Sequence, residues 1–182
     1  MGEPDPQVVA AARAGDLRAF EELVRAYQAP VWRMVLALVH DPAVAEDITQ
    51  DAFVRAFRFL YRYRGDSKFT TWLMTVARNS AVDEMRRVQR AKRVVERAGA
   101  QPVAARSDQS VGIEVREAVS ALPQQLREPV VLIDMFGMSY KETSRILSVP
   151  EGTVKSRVHK ARAALALSLG DEDLMREIQD GP

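Results

Sequence analysis

Ala45-Glu46-Asp47-Ile48-Thr49-Gln50-Asp51-Ala52-Phe53-Val54-Arg55-Ala56-Phe57 sorts its side chains at helical spacing. Ile48, Ala52, Phe53, Ala56 and Phe57, continued by Leu60, form an apolar face. Asp47, Gln50, Asp51, Arg55 and Arg58 form another. Neighbours three and four residues apart are the mark of an α-helix. Asp41-Pro42 supplies the start, a capping carboxylate followed by proline at the first helical position, and the pattern runs to about Arg62. Such a helix needs a helical partner for its apolar face and leaves the charged one to solvent or to another protein.

The same period extends outward in both directions. Asp16 caps a helix in which Leu17, Phe20, Leu23, Val24, Tyr27 and Val31 form one stripe, and Pro30 is expected to kink or divide it. Arg64-Gly65-Asp66-Ser67 reads as a turn. A helix from about Phe69 faces Trp72, Leu73, Val76, Ala77 and Ala81 inward. Near its end the charge changes: Glu84 to Arg97 holds Arg86, Arg87, Arg90, Lys92, Arg93 and Arg97 against Glu84 and Glu96. Gly99, Pro102, Ser107, Asp108, Ser110 and Gly112 then mark a flexible linker.

The second half is helical again. Val115, Val119 and Leu122 line one helix, and Pro123 opens the next, carrying Leu126, Val130, Leu132, Ile133 and Phe136, with Gly137 as its C-cap. Ser139-Tyr140-Lys141-Glu142 has the form of a capping box, and Ser148-Val149-Pro150-Glu151 repeats it. Two helices joined so tightly read as a helix-turn-helix. In the second of them Val154, Val158, Ala161 and Leu165 are the buried positions. Lys155, Ser156, His159, Lys160 and Ala163 share the outer face. That basic face near a helix N-terminus suits base edges and phosphates, although a solvated helical hairpin or an ordinary DNA-binding activator has the same pattern. No strand pattern appears, so the expected fold is all-α: two small helical domains, residues 1–97 and 113–170, a linker at 98–112 and an acidic tail at 171–182.

Bulk composition narrows the chemistry. The 182 residues carry 26 Lys+Arg and 25 Asp+Glu, so any nucleic-acid signal lies in where the charges sit. There is no cysteine, which excludes a disulfide scaffold, a Cys-based zinc site and a thiol nucleophile. A redox signal must then be sensed by a partner. His40 and His159 are too few and too far apart to suggest a metal cluster, and no cofactor is expected. The start, Met-Gly-Glu-Pro-Asp-Pro, lacks the basic and apolar runs of a signal peptide. Val31 to Val39 is interrupted by Arg33 and too short to span a bilayer. A cytoplasmic protein without membrane insertion is expected.

Residues 45–57, with Tyr63-Arg64-Gly65-Asp66-Ser67, Phe69-Thr70-Thr71-Trp72-Leu73, Ala77-Arg78-Asn79-Ser80-Ala81-Val82-Asp83 and Arg86-Arg87, resemble region 2 of the sigma-70 family of bacterial transcription initiation factors. Leu122-Pro123, Gly137-Met138-Ser139-Tyr140 and Gly152-Thr153-Val154-Lys155-Ser156-Arg157, through Ala161-Arg162 and Leu165, resemble region 4. The resemblance covers about residues 16–93 and 114–168, in the family's order. Without the additional N-terminal and middle domains of housekeeping members, it is similar to the small extracytoplasmic-function (ECF) group. One departure stands out: Thr143-Ser144 occupies a place where the family has an apolar residue followed by alanine, and a buried hydroxyl costs stability unless it finds a partner.

The resemblance implies roles. Asp47, Gln50, Asp51 and Arg55 dock on the clamp helices of core RNA polymerase, and the second domain meets its flap. The −10 element lies along the helix from Phe69 to Arg93, with Arg78 beside it and an extruded base near Tyr63 and Asn79. Tyr63 suits base stacking but equally suits covering the core, and Trp72 is expected in the core rather than as a melting wedge. Arg86, Arg87, Arg90 and Arg93 meet phosphates, unless they are only a solvated helix end. Lys155, Ser156, His159 and Lys160 read the −35 element, with Arg157 and Arg162 on phosphates or internal partners. Promoter DNA, core polymerase and an anti-sigma factor are the expected partners, and no catalysis is expected, since no nucleophile or metal cluster joins Asp47 and Asp51. A stand-alone helix-turn-helix regulator and a helical sequestering adaptor are the other readings of the pattern.

Overall fold

The computed structural model describes the backbone of residues 1–97 and 113–170, and side chains within 1–91 and 114–170. The expected linker at 98–112, the tail at 171–182 and the side chains of Lys92, Arg93 and Arg97 lie outside the described residues. Among the described residues every regular element is helical.

Helix α1 (Pro6–Arg13) starts on Asp5, which accepts from the Gln7 amide at 2.8 Å. Asp16 caps α2 (Leu17–Val39) by accepting from the amides of Arg18 and Ala19. The expected division at Pro30 does not occur, and α2 runs through it. An internal proline costs about 3 kcal/mol. Val31, Met34 and Val35, which follow it, are completely buried, and each such side chain contributes about 1.5–3 kcal/mol, so burial outweighs the lost hydrogen bond.

Asp41 caps α3 (Pro42–Phe59), accepting from the Val44 amide at 3.0 Å, and a 3₁₀ turn follows at Leu60–Arg62. The expected apolar face needs one correction. Phe57 is 40% exposed, resting edge-on against Phe20 with ring centroids 4.9 Å apart. It lies about 100° round the helix from buried Ala56, on the border of the face. Thr49 is buried instead, its hydroxyl donating to the Ala45 carbonyl at 2.7 Å. Helix α4 (Phe69–Arg97) follows the turn, where Gly65 takes φ +80°. Helix α2 packs on α1, α3 and α4, and α3 packs on α4.

The second unit contains α5 (Ile113–Ala121), α6 (Gln124–Val130), a π-helical turn at Val131–Met135, α7 (Tyr140–Leu147) and α8 (Glu151–Leu169). Val115 does not line a core: it is 55% exposed, on a groove it shares with Trp32 and Met135. Gly137, at φ +64°, ends the π turn as expected, its amide donating to the Ile133 carbonyl at 3.0 Å. Both arms of the capping box at Ser139 and Glu142 are present. The second expected box is absent. Ser148 takes the left-handed conformation (φ 55°) that closes α7, and Pro150 stands at the N-cap of α8 without a side-chain hydrogen bond. Three residues leave no room for Ser148 to serve both helices. Ser144 secures the turn instead, its hydroxyl donating to the Val149 carbonyl at 2.7 Å.

The two units are not separate bodies here. Val131, Leu132, Met138, Ile146 and Leu147 belong to one continuous apolar cluster with the core of the first unit. Helix α7 lies on α4, and α5 and α6 lie against α2. Polar contacts accompany them: Arg78 to Glu128 at 2.7 Å, Lys68 to Glu142 at 2.7 Å, Arg127 Nη1 donating to the Leu38 carbonyl at 2.9 Å, and Arg145 Nη1 donating to the Asp66 carbonyl at 3.3 Å.

Two stability predictions follow from buried polar groups. Thr143 is completely buried and its hydroxyl finds no hydrogen-bond partner among the described residues. Thr143→Val keeps the shape and removes that group, so it is expected to raise stability by about 1 kcal/mol, read by denaturant unfolding. A loss of stability would show that the hydroxyl is satisfied. His40 closes α2 at φ 61°, with both ring nitrogens buried and unpartnered among the described residues. Burial, aided by the charges of Arg127 and Arg116, lowers its pKa from 6.5 to about 4. Below about pH 6.5 the unfolded chain therefore binds the extra proton first, and stability falls with pH until about 4, where the folded form also takes it up. His40→Asn, which tolerates left-handed backbone, is expected to flatten this part of the stability profile.

Candidate nucleic-acid interface

The basic stripe foreseen on the helix-turn-helix exists. Val154, Val158 and Ala161 are buried beneath α8, with Leu165 partly so. Burying them turns Lys155, Ser156, His159 and Lys160 outward as exposed side chains, while Arg157 is half-buried. The Lys155 ammonium lies 4.0 Å from Glu151 and 5.7 Å from the ring centre of Tyr140. Arg162 has an internal partner: its Nε and Nη2 donate to Asp134 at 3.1 and 2.6 Å. Lys68, together with the amide and hydroxyl of Ser139, holds the Glu142 carboxyl down to about 2 although burial opposes it.

The α3 face presents Asp47, Gln50 and Asp51 to solvent. Gln50 donates to Glu46 at 3.2 Å. Arg55 reaches Asp51 at 2.7 Å and Asp83 of α4 at 3.0 Å. Arg55 thus anchors α3 to α4 and leaves the outer face acidic.

Along α4 the candidate residues fall into two groups. Arg86, Arg87 and Arg90 are exposed on the distal part. Arg87 forks onto Glu84 at 2.7 and 2.6 Å, which raises its own pKa and lowers that of Glu84. Arg78 instead sits under the second unit, in its pair with Glu128. Tyr63 is half-buried. Its hydroxyl donates to the Ser67 carbonyl at 2.7 Å, and its ring meets Phe69 and Trp72 with centroids 5.9 and 5.6 Å apart. Burial, then the charges of Glu3 and Asp66, raise its pKa. Asn79 is exposed and accepts from Arg78 at 3.3 Å. It lies ten residues beyond Phe69, about 15 Å along the helix. Tyr63 therefore stands in the turn before α4 and Asn79 well along that helix, and the cavity that Tyr63 lines does not include Asn79.

Several important side chains went unforeseen. Glu128 had a visible signal, a carboxylate among apolar Leu126, Pro129 and Val130. Arg127, which gathers the carbonyls of Leu38, Val119, Ser120 and Leu122, had none, because its partners are backbone atoms brought together by folding. Among the described residues no group of His, Cys, Asp and Glu is arranged to hold a metal. Nor is any helix among them long and apolar enough to cross a membrane.

Known proteins share this fold. Residues 23–91 match the family model of sigma-70 region 2, and residues 113–165 match that of sigma-70 region 4. The RNA polymerase sigma-H factor of Pseudomonas aeruginosa is 33% identical over 96% of this chain and 97% of its own. The ECF RNA polymerase sigma factor SigM of Mycobacterium tuberculosis is 37% identical over 91% of this chain and 85% of its own. Among solved structures, the sigma factor RpoE of Bartonella quintana, in complex with the anti-sigma factor NepR, superposes with a TM-score of 0.72 at 27% identity, covering 86% of this chain and 99% of that one. CnrH, in complex with the cytosolic domain of CnrY, superposes at 0.70 and 25% identity over 90% of this chain and 95% of that one.

Proposed function

The chain belongs to the extracytoplasmic-function group of the sigma-70 family, and from that membership we propose that it brings core RNA polymerase to promoters by reading the −10 and −35 elements with separate helical units. The family consists of non-catalytic initiation factors, and the chemistry belongs to the polymerase. The observation that carries the assignment of roles is the exposed stripe Lys155, Ser156, His159 and Lys160 on a helix whose opposite face is buried behind a capped first helix. That is the form of a recognition helix presented to a major groove.

Residues 1–97 bind the polymerase clamp helices through Asp47, Gln50 and Asp51, with Arg55 holding the face in place. The same unit meets the −10 element through Tyr63, Arg78 and Asn79, with Arg86, Arg87 and Arg90 on phosphates. Residues 113–170 read the −35 element beside the polymerase flap, and 98–112 connects the two. The factor works in the cytoplasm. An anti-sigma factor holds it inactive. That reading is supported by the likeness to RpoE, solved with NepR, and to CnrH, solved with the cytosolic domain of CnrY, and by the apolar groove at Trp32, Leu36, Val115 and Met135.

Promoter binding requires the units to part. Elements named for positions 25 base pairs apart lie about 85 Å from each other at 3.4 Å per step. Here the units share a core and Arg78 is covered. A linker of 15 residues (98–112) spans at most about 50 Å, which together with the width of the two units covers the distance once the shared contacts are released. Tethering then raises the effective concentration of the second unit at its element.

Purified factor with core polymerase is expected to give transcripts from a subset of promoters in a library, and no specific transcript from any cognate template would sink the reading. In the same assay Lys160→Ala is expected to reorder −35 preferences by about 1–3 kcal/mol of discrimination. Arg90→Ala should weaken all promoters alike and lower the slope of log K against log salt by about one. The reverse pattern would exchange the two roles. Opening has its own test. With no native cysteine, dyes at Glu22→Cys and Leu167→Cys label only those exposed sites, and energy transfer between them should fall when core polymerase binds. Equal transfer in free factor and holoenzyme would mean the units stay together.

A further inference from the structure

Helix α4 begins without a cap of its own. Lys68, the residue before it, has no acceptor in its side chain, and the Ser67 hydroxyl donates to the Lys68 carbonyl at 3.3 Å instead. The first amides of a helix need acceptors and attract negative charge. They find both in Glu3, far away in the sequence. One carboxylate oxygen accepts from the Phe69 amide at 2.8 Å, and the other accepts from the Thr70 amide at 3.2 Å and from the Thr70 hydroxyl. Neighbouring contacts hold the segment that carries Glu3: the Tyr27 hydroxyl donates to the Gly2 carbonyl at 2.8 Å, and Asp5 caps α1.

These contacts converge on the loop at residues 63–68. Phe69, whose amide Glu3 holds, touches the rings of Tyr27, Tyr63 and Trp72 at centroid distances of 5.7, 5.9 and 5.7 Å. Arg13 Nη1 donates to the Tyr63 carbonyl at 3.2 Å. Beside the loop lies an open cavity of about 240 Å³ lined by Glu3, Val9, Arg13, Tyr63, Gly65 and Phe69, so packing restrains this side little. Two further contacts to the loop come from the second unit, Lys68 to Glu142 and Arg145 to the Asp66 carbonyl. Both disappear when the units part. In the open factor the loop is then held by Glu3, Arg13 and the Tyr63–Ser67 bond.

We propose that Glu3 is a positioning residue for −10 recognition, its carboxylate fixing the start of α4 so that Tyr63 meets the displaced base in one orientation. The proposal rests on the reading that Tyr63 contacts that base. Glu3 touches no DNA. It acts by restricting where the Phe69 and Tyr63 rings sit, so its loss blurs the choice among bases and leaves polymerase docking by α3 unchanged.

The test uses holoenzymes and a promoter library randomised at the −10 element with a constant −35 element. Glu3→Ala is expected to reduce discrimination by roughly tenfold at the one position that Tyr63→Ala also affects, the size of a single good base contact, and Thr70→Val, which removes the hydroxyl contact but leaves both amides on Glu3, by a smaller factor at the same position. The double variant should be no worse than Glu3→Ala alone, since the Thr70 hydroxyl acts only through Glu3. Thr70→Ser, which keeps the hydroxyl, should restore the preference. Core affinity and preference at other −10 positions should not change. If Tyr63→Ala shifts the preference and Glu3→Ala does not, Glu3 has no positioning role and the Tyr63 reading stands. If Tyr63→Ala itself leaves the preference unchanged, that reading fails and the Glu3 proposal falls with it. If Glu3→Ala weakens every promoter alike, Glu3 is a stabilising cap only and the proposal is overturned.

Discussion

Glu128 is 4% exposed, and a carboxylate in that position needs a positive partner, because an unpaired buried charge costs several kcal/mol. Gln124, one turn earlier, donates to it at 2.7 Å, but the compensating charge comes from Arg78 on α4, also at 2.7 Å. The second unit therefore docks on the first in a register that brings these two atoms together. The same register lays Arg127 on the Leu38 carbonyl and Lys68 on Glu142. A buried ion pair adds little net stability, since both ions lose their water, whereas removing one partner costs about 3–5 kcal/mol. Its effect is to select one docking arrangement. When the units part, both ions regain water, so the contact that selects the closed form does not make it permanent.

That constraint divides the functional surfaces. The α8 stripe, the acidic face of α3 and the distal arginines of α4 remain outside in the closed form. Arg78 does not, and the loop before α4 is tied to α7 through Asp66 and Lys68. The surfaces assigned to polymerase docking and −35 reading are thus exposed while the one assigned to the −10 element is partly covered.

Local chemistry was largely legible in the chain. Asp16, Asp41 and the Ser139–Glu142 box cap the helices they were expected to cap, because each needs only partners two or three residues away. Buried stripes followed the helical period except at its borders, where Leu17, Phe57 and Val115 are exposed. A residue on the edge of a stripe is buried or not according to whether a neighbouring helix reaches it, and one helix's sequence does not contain that information. Pro30 failed as a break and Ser148 failed as an N-cap for related reasons. Core burial overrode the first, and a three-residue turn had already used the second.

The sequence by itself determined the all-α class, the order of two helical units, the helix-turn-helix with its basic outer stripe and the acidic face of α3. These follow from periodicity and from short-range hydrogen bonding, which act within a few residues. Tertiary structure alone decided that the units share a core, that Arg78 is spent on Glu128, and that Glu3 completes a helix beginning at Phe69. Each of these joins atoms separated by many residues in the chain, and the need of a buried or unsatisfied polar group for a partner does not say from which segment that partner will come.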